Sequence, residues 1–150
     1  MKKITSLFYL FFPLVIGITI GLITSYSMEY NNLIKPPLSP PNWLFPVVWT
    51  IIYLLMGVSY FIIKRTNNSN KTIDTVYYLQ LFVNALWSII FFVFKLRLFA
   101  IIWIIILVIL VIYMIYLFYK KTKLSAYLNF LYLAWILFAT YLTIGIYLLN

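Results

Sequence analysis

The sequence has no cysteine and no histidine. Without cysteine there is no disulfide, no thiolate metal site and no thiol nucleophile, and cysteine usage leaves the redox compartment open. Without histidine the chain lacks the usual general base and the commonest metal and haem ligand. Acidic residues are nearly missing too: two Asp/Glu stand against eleven Lys/Arg. No metal-binding set is expected. Charged residues of both signs make up 9% of the chain, where a soluble domain carries about a quarter. The net charge of +9 does not point to nucleic acid, because the cations form no polar face. They punctuate apolar runs.

What is present is apolar. Hydrophobic residues make up 66% of 150 positions, more than a soluble fold of this size can hide, so lipid must cover part of the surface. The charges fall at Lys2 and Lys3, at Glu29 and Lys35, across 64–74, at Lys95 and Arg97, and at Lys120, Lys121 and Lys123. The uncharged runs between them, 4–28, 36–63, 75–94, 98–119 and 124–150, each reach the ~20 residues a helix needs to cross hydrocarbon. They do not alternate apolar with polar, as barrel strands would. The expected fold is an all-α membrane protein, a bundle of five transmembrane helices near 4–27, 43–64, 74–94, 98–119 and 124–148, with a first loop near 29–42.

The first run opens on Met1-Lys2-Lys3 and reaches Ser25-Tyr26-Ser27, a small-x-small pattern of the signal-peptide kind. Its apolar stretch is longer than a signal core, and Gly17 and Gly21 have the small-xxx-small spacing that lets helices approach. The expectation is a retained helix with one face suited to a homodimer contact. With five spans, Lys2, Lys3, Lys64, Arg65, Lys71, Lys120, Lys121 and Lys123 share one side, and Lys35, Lys95 and Arg97 the other. The positive-inside rule then puts the N-terminus in the cytoplasm and loop 1 outside. Pro36, Pro37, Pro40 and Pro41 stiffen that loop; with Trp43 it reads as a lid over the bundle or as a simple helix stop.

No charge lies deep in a span, which argues against a proton-coupled pump and against hydrolysis. Amide and aromatic chemistry remains. Gln80, Asn84, Trp87 and Phe91 recur at helical spacing on one face of the third run. Trp49, Tyr53, Gly57 and Tyr60 do so on the second, and Tyr132, Trp135 and Ala139 on the fifth. The stripes line either a cavity for a flat apolar ligand or ordinary helix packing. Trp43, Tyr30 and Tyr119 read as interface anchors.

Longer stretches carry a resemblance. Lys35-Pro36-Pro37-Leu38-Ser39-Pro40-Pro41-Asn42-Trp43 leads into Val48-Trp49-Thr50-Ile51-Ile52-Tyr53-Leu54-Leu55-Met56-Gly57. Gln80-Leu81, Asn84, Trp87-Ser88 and Phe91-Phe92 follow, then Tyr132, Trp135 and Phe138-Ala139-Thr140. In order and spacing the chain resembles the tryptophan-rich sensory protein/translocator protein family (TspO/MBR). It departs from the family pattern at Leu38, in place of a loop Trp; at Leu131, in place of a Pro; at Thr143, in place of an Asn; and at Trp103, in place of a helix-4 Asp. A role needing that carboxylate is not carried over.

The resemblance implies a five-helix bundle, often dimeric, that binds porphyrins and related tetrapyrroles between its helices for sensing, transport or disposal. Sterols and isoquinoline-carboxamide drugs are further ligands it implies. The ligand-binding set would be Trp49, Tyr53, Gln80, Asn84, Trp87, Tyr132, Trp135 and Ala139, with Pro36, Pro40, Pro41 and Trp43 as the lid. No cofactor is required, and lacking His and Cys the chain should bind porphyrin without needing iron. One alternative is a light-dependent porphyrin-degrading enzyme using Trp49 and Trp135; others are a small-molecule transporter and a purely structural or partner-binding protein. The expected location is a bacterial cytoplasmic membrane.

Overall fold

A computed structural model describes residues 2–25 and 30–150. The Ser25-Tyr26-Ser27 pattern, Glu29 and the end of the first expected helix fall wholly or partly outside them. The chain is all-helical apart from its connections: α1 (Lys3–Ser25), α2 (Leu44–Arg65), α3 (Lys71–Ser88), α4 (Arg97–Tyr119), α5 (Lys123–Tyr127) and α6 (Phe130–Leu149). A 3₁₀ turn at Tyr30–Asn32 precedes α2, and a π-helical turn at Ile89–Val93 prolongs α3. Among the described residues five stretches are long and apolar enough to cross a membrane, with α3 plus its π turn forming one and α5 plus α6 another.

Local chemistry moves two of these stretches from their expected form. The third starts at Lys71, not near 74, because Asn70 accepts a hydrogen bond from the Ile73 amide at 2.9 Å and caps the helix. Asp74 thus sits in the first turn. Its carboxylate accepts from Lys64 at 2.8 Å and Tyr60 at 2.7 Å, and also from the Ser69 hydroxyl. The fifth stretch breaks at Leu128–Asn129. The buried Asn129 side chain donates to Ser59 Oγ and to the Ser125 carbonyl, each at 2.9 Å, and such side-chain bonds compete with the helical ladder.

Neighbouring spans run antiparallel. Gly57 of α2 lies against Leu10 of α1, and Gly17 of α1 against Tyr53. Tyr53 in turn reaches Asn84 of α3, and Tyr60 reaches Asp74. The basic ends of the spans therefore share one end of the bundle. Gly17 and Gly21 do not form one free face: a Cβ on Gly17 would lie 2.3 Å from the Tyr53 ring, whereas Gly21 opens on empty space.

The core has two parts. The larger, nearer the basic end, is built on Ile52, Met56, Tyr60, Tyr77, Val111, Met114 and Phe118. The smaller lies under loop 1 and gathers Tyr30, Trp87, Phe91, Ile104, Ala139 and Ile146. Tyr30 is therefore not an interface anchor. It is 2% exposed, while Trp43 is 65% exposed.

Candidate functional site

The polar residues of the aromatic stripes meet at the junction of α2, α3 and α6. Tyr53 OH donates to Asn84 Oδ1 at 3.3 Å, and Asn84 Nδ2 donates to Tyr132 OH at 2.8 Å. Tyr132 OH donates to Gln80 Oε1 at 2.7 Å, and Gln80 Nε2 contacts Met56 Sδ at 3.5 Å. All four polar residues are buried. Burying amides is costly unless they are paired, and here each finds its partner on another helix. Trp49, half-buried, stacks on Tyr53 at 5.5 Å and meets Tyr132 edge-on at 6.3 Å.

A cavity lies toward loop 1. Its walls are Tyr30, Phe45, Trp87, Phe91, Phe92, Ala139, Leu142, Thr143 and Ile146. Of the expected ligand-binding set, Trp87 and Ala139 line it. Tyr53, Gln80, Asn84 and Tyr132 instead make the hydrogen-bonded network. Trp135 stands behind the wall, edge-on to Phe45 at 5.8 Å. The indole Nε1 atoms of Trp87 and Trp135 are both buried without a hydrogen-bond partner. The volume is about 20 Å³, room for roughly one water molecule.

The π turn shapes this cavity. It contributes Phe91 and Phe92, adjacent residues that both reach the wall, and π turns recur at functional sites. Nothing in residue type marks Leu142 and Ile146 as wall residues, because aliphatic side chains recur throughout the last span. Phe91 did carry a signal, as the last member of the α3 stripe.

Loop 1 closes the cavity end. Pro36 is buried on Gly145, where a Cβ would lie 2.6 Å from the proline ring. Pro40 is buried and accepts from Tyr30 OH at 2.9 Å. Tyr141 OH donates to the Pro37 carbonyl at 2.7 Å, and Asn150 binds the backbone of Ile34 twice. Burial pushes the Tyr30 phenol above the ordinary tyrosine range, opposed by contact with Ser39, so at neutral pH it stays protonated and able to donate. Pro41 and Trp43 face outward.

Three of the four departures have visible roles. Leu38 takes φ 68° in the turn that Ser39 closes by donating to the Pro36 carbonyl, and its side chain is 86% exposed. Trp103 Nε1 donates to the Val83 carbonyl at 2.8 Å and ties α4 to α3. Thr143 Oγ1 donates to the Ala139 carbonyl at 2.6 Å on the cavity wall. Leu131 is exposed.

Residues 9–149 match the model of the TspO/MBR family. The tryptophan-rich protein TspO of Archaeoglobus fulgidus is 39% identical over 140 residues, 91% of either chain. That of Chlorobaculum tepidum is 33% identical over 127 residues, 83% of this chain and 80% of its own. The translocator protein of Bos taurus is 29% identical over 114 residues, 73% of this chain and 68% of its own. With matching motifs and five spans in the expected order, the chain belongs to the TspO/MBR family of integral, multi-pass membrane proteins.

Proposed function

We propose that this protein binds porphyrin-type tetrapyrroles under loop 1, as a membrane receptor or carrier. The observation that carries the reading is the aromatic cavity beside two buried, unpartnered indole N–H groups, Trp87 on its wall and Trp135 behind it. Flat macrocycles stack well on such rings, and an orphaned donor gains a full hydrogen bond when a polar ligand edge reaches it. Pockets for ligands of this class hold about 300–1,000 Å³. The cavity is far smaller, so binding requires loop 1 to lift from Gly145 and the phenylalanines of the π turn to move aside.

The test is a titration with protoporphyrin in neutral detergent, followed by tryptophan fluorescence. Saturable quenching is expected, weakened about tenfold in Trp87→Phe, which loses both stacking area and the indole donor. Quenching that never saturates, or is indifferent to Trp87, would show mere partitioning into micelles.

We place the N-terminus in the cytoplasm of a bacterial cell, because the cation-rich ends of the spans share one side. The chain has no cysteine of its own, so Leu38→Cys at the exposed loop apex gives a clean reporter. An impermeant maleimide should label it on intact cells. Labelling only after the cells are opened would reverse the orientation.

A further inference from the structure

We infer that the cleft between the first turn of α1 and the last turn of α2 binds one anionic phospholipid, holding its phosphate at the basic end of the bundle. The site lies at the end opposite loop 1 and does not depend on the porphyrin-binding reading.

Ser6, Phe61, Lys64, Arg65 and Asn67 wall this cleft, which holds about 430 Å³. The cavity under loop 1 has room for little more than a water; this one has room for a headgroup. The Arg65 guanidinium carbon lies 5.9 Å from the ring centre of Phe61. Asn67 takes φ 54°, a left-handed conformation in which asparagine is enriched. Its amide donates to the Lys64 carbonyl at 3.2 Å, so the chain folds back over the end of α2. Asp74 accepts from Lys64 at 2.8 Å, which uses one of three ammonium donors. The Lys2 carbonyl accepts from the amide and the hydroxyl of Ser6, at 3.1 and 3.2 Å, so Lys2 and Lys3 stand one turn beyond that wall.

Positive charge here is in excess. Lys64–Asp74 is the only ion pair among the described residues, which leaves Arg65, Lys2 and Lys3 without an acidic partner there. The C-terminus of α2 contributes only about half a negative charge. A phosphate diester supplies the missing anion, and the guanidinium fork matches two of its oxygens. A headgroup with an ammonium of its own, such as choline, brings a like charge toward the same cations.

An apolar track favours a lipid over a soluble phosphate. Leu54, Val58, Phe61 and Arg65 recur at i, i+4, i+7 and i+11 on one face of α2, and Leu54 and Val58 are exposed. An acyl chain hanging from a phosphate at Arg65 would run down this face.

The experiment mixes delipidated protein in neutral detergent with phosphatidylglycerol or phosphatidylcholine of the same acyl chains and counts bound lipid by native mass spectrometry. The wild type should hold one phosphatidylglycerol about tenfold more tightly than phosphatidylcholine, the size expected for charge-assisted hydrogen bonds. Arg65→Gln should remove most of that preference. Asn67→Asp, which keeps a residue suited to the left-handed turn and adds a carboxylate to the wall, should do the same. Lys121→Gln removes one charge from the same end of the bundle but outside the cleft, and should change nothing. Unchanged melting temperatures in lipid-free detergent show that the variants are folded.

Equal affinity for the two lipids, or a preference kept in both Arg65→Gln and Asn67→Asp, overturns the inference. An equal loss in Lys121→Gln also overturns it, reducing the effect to diffuse attraction by a polybasic surface. Glycerol 3-phosphate distinguishes the other source of phosphate. If it displaces phosphatidylglycerol at comparable concentration, the cleft reads a soluble anion and the lipid site fails.

Discussion

Gly57→Ala should destabilise the bundle by about 3 kcal/mol, at the upper end of what overpacking costs. A Cβ built there lies 2.1 Å from the backbone carbonyl oxygen of Leu10 and 2.9 Å from its carbon. Backbone cannot rotate out of the way as a side chain can, so α1 as a whole must back off from α2. That separation also loosens Gly17 from the Tyr53 ring, and Tyr53 belongs to the hydrogen-bonded network of the core. The intrinsic helix preference of alanine over glycine, about 1 kcal/mol, acts in the opposite direction and is too small to offset the clash. Gly21→Ala isolates that term, since nothing lies within 4 Å of its added Cβ; it should be neutral or slightly stabilising. Thermal unfolding in detergent reads both variants. Matching melting temperatures for Gly57→Ala and the wild type would mean that α1 does not pack on α2 in this way.

Gly57 shows how much of the architecture sequence can and cannot convey. The five spans are legible because charge cannot enter hydrocarbon cheaply, and the eleven cations mark the span ends. The breaks inside them are not, because they depend on contacts between distant residues. Asn129 interrupts the last span by bonding to Ser59, seventy positions away. The π turn after Ser88 follows from no residue that the sequence singles out. The same limit divides the site. Helical spacing groups Gln80, Asn84 and Trp87 on one face, but only the packed bundle shows the two amides paired with Tyr53 and Tyr132 while Trp87 faces a cavity. Tyr30 and Phe45 come to that cavity from loop 1 and from the start of α2, segments whose position no periodicity fixes.

Asn84→Leu should cost about 2 kcal/mol of stability and change porphyrin affinity comparatively little. Single interhelical hydrogen bonds in membranes average about 0.6 kcal/mol, which alone would make the substitution mild. Asn84, however, is the middle of a chain: Oδ1 accepts from Tyr53 and Nδ2 donates to Tyr132. Leucine fills nearly the same volume but leaves the Tyr53 hydroxyl buried without a partner, and such a group costs about 1–3 kcal/mol. Tyr132 still donates to Gln80, so the damage should stay on the Tyr53 side. A double-mutant cycle with Tyr53→Phe tests that assignment. Removing the stranded hydroxyl should return about 1 kcal/mol, making the double variant more stable than the sum of the single effects predicts. Affinity should fall only modestly, because the amide is occupied on both sides and Trp87, one turn away, meets the cavity in its place. A tenfold loss of protoporphyrin affinity with an unchanged melting temperature would reverse this order. Asn84 would then be a direct ligand contact, and the bound form would have to open the network between α2, α3 and α6 as well as the loop above it.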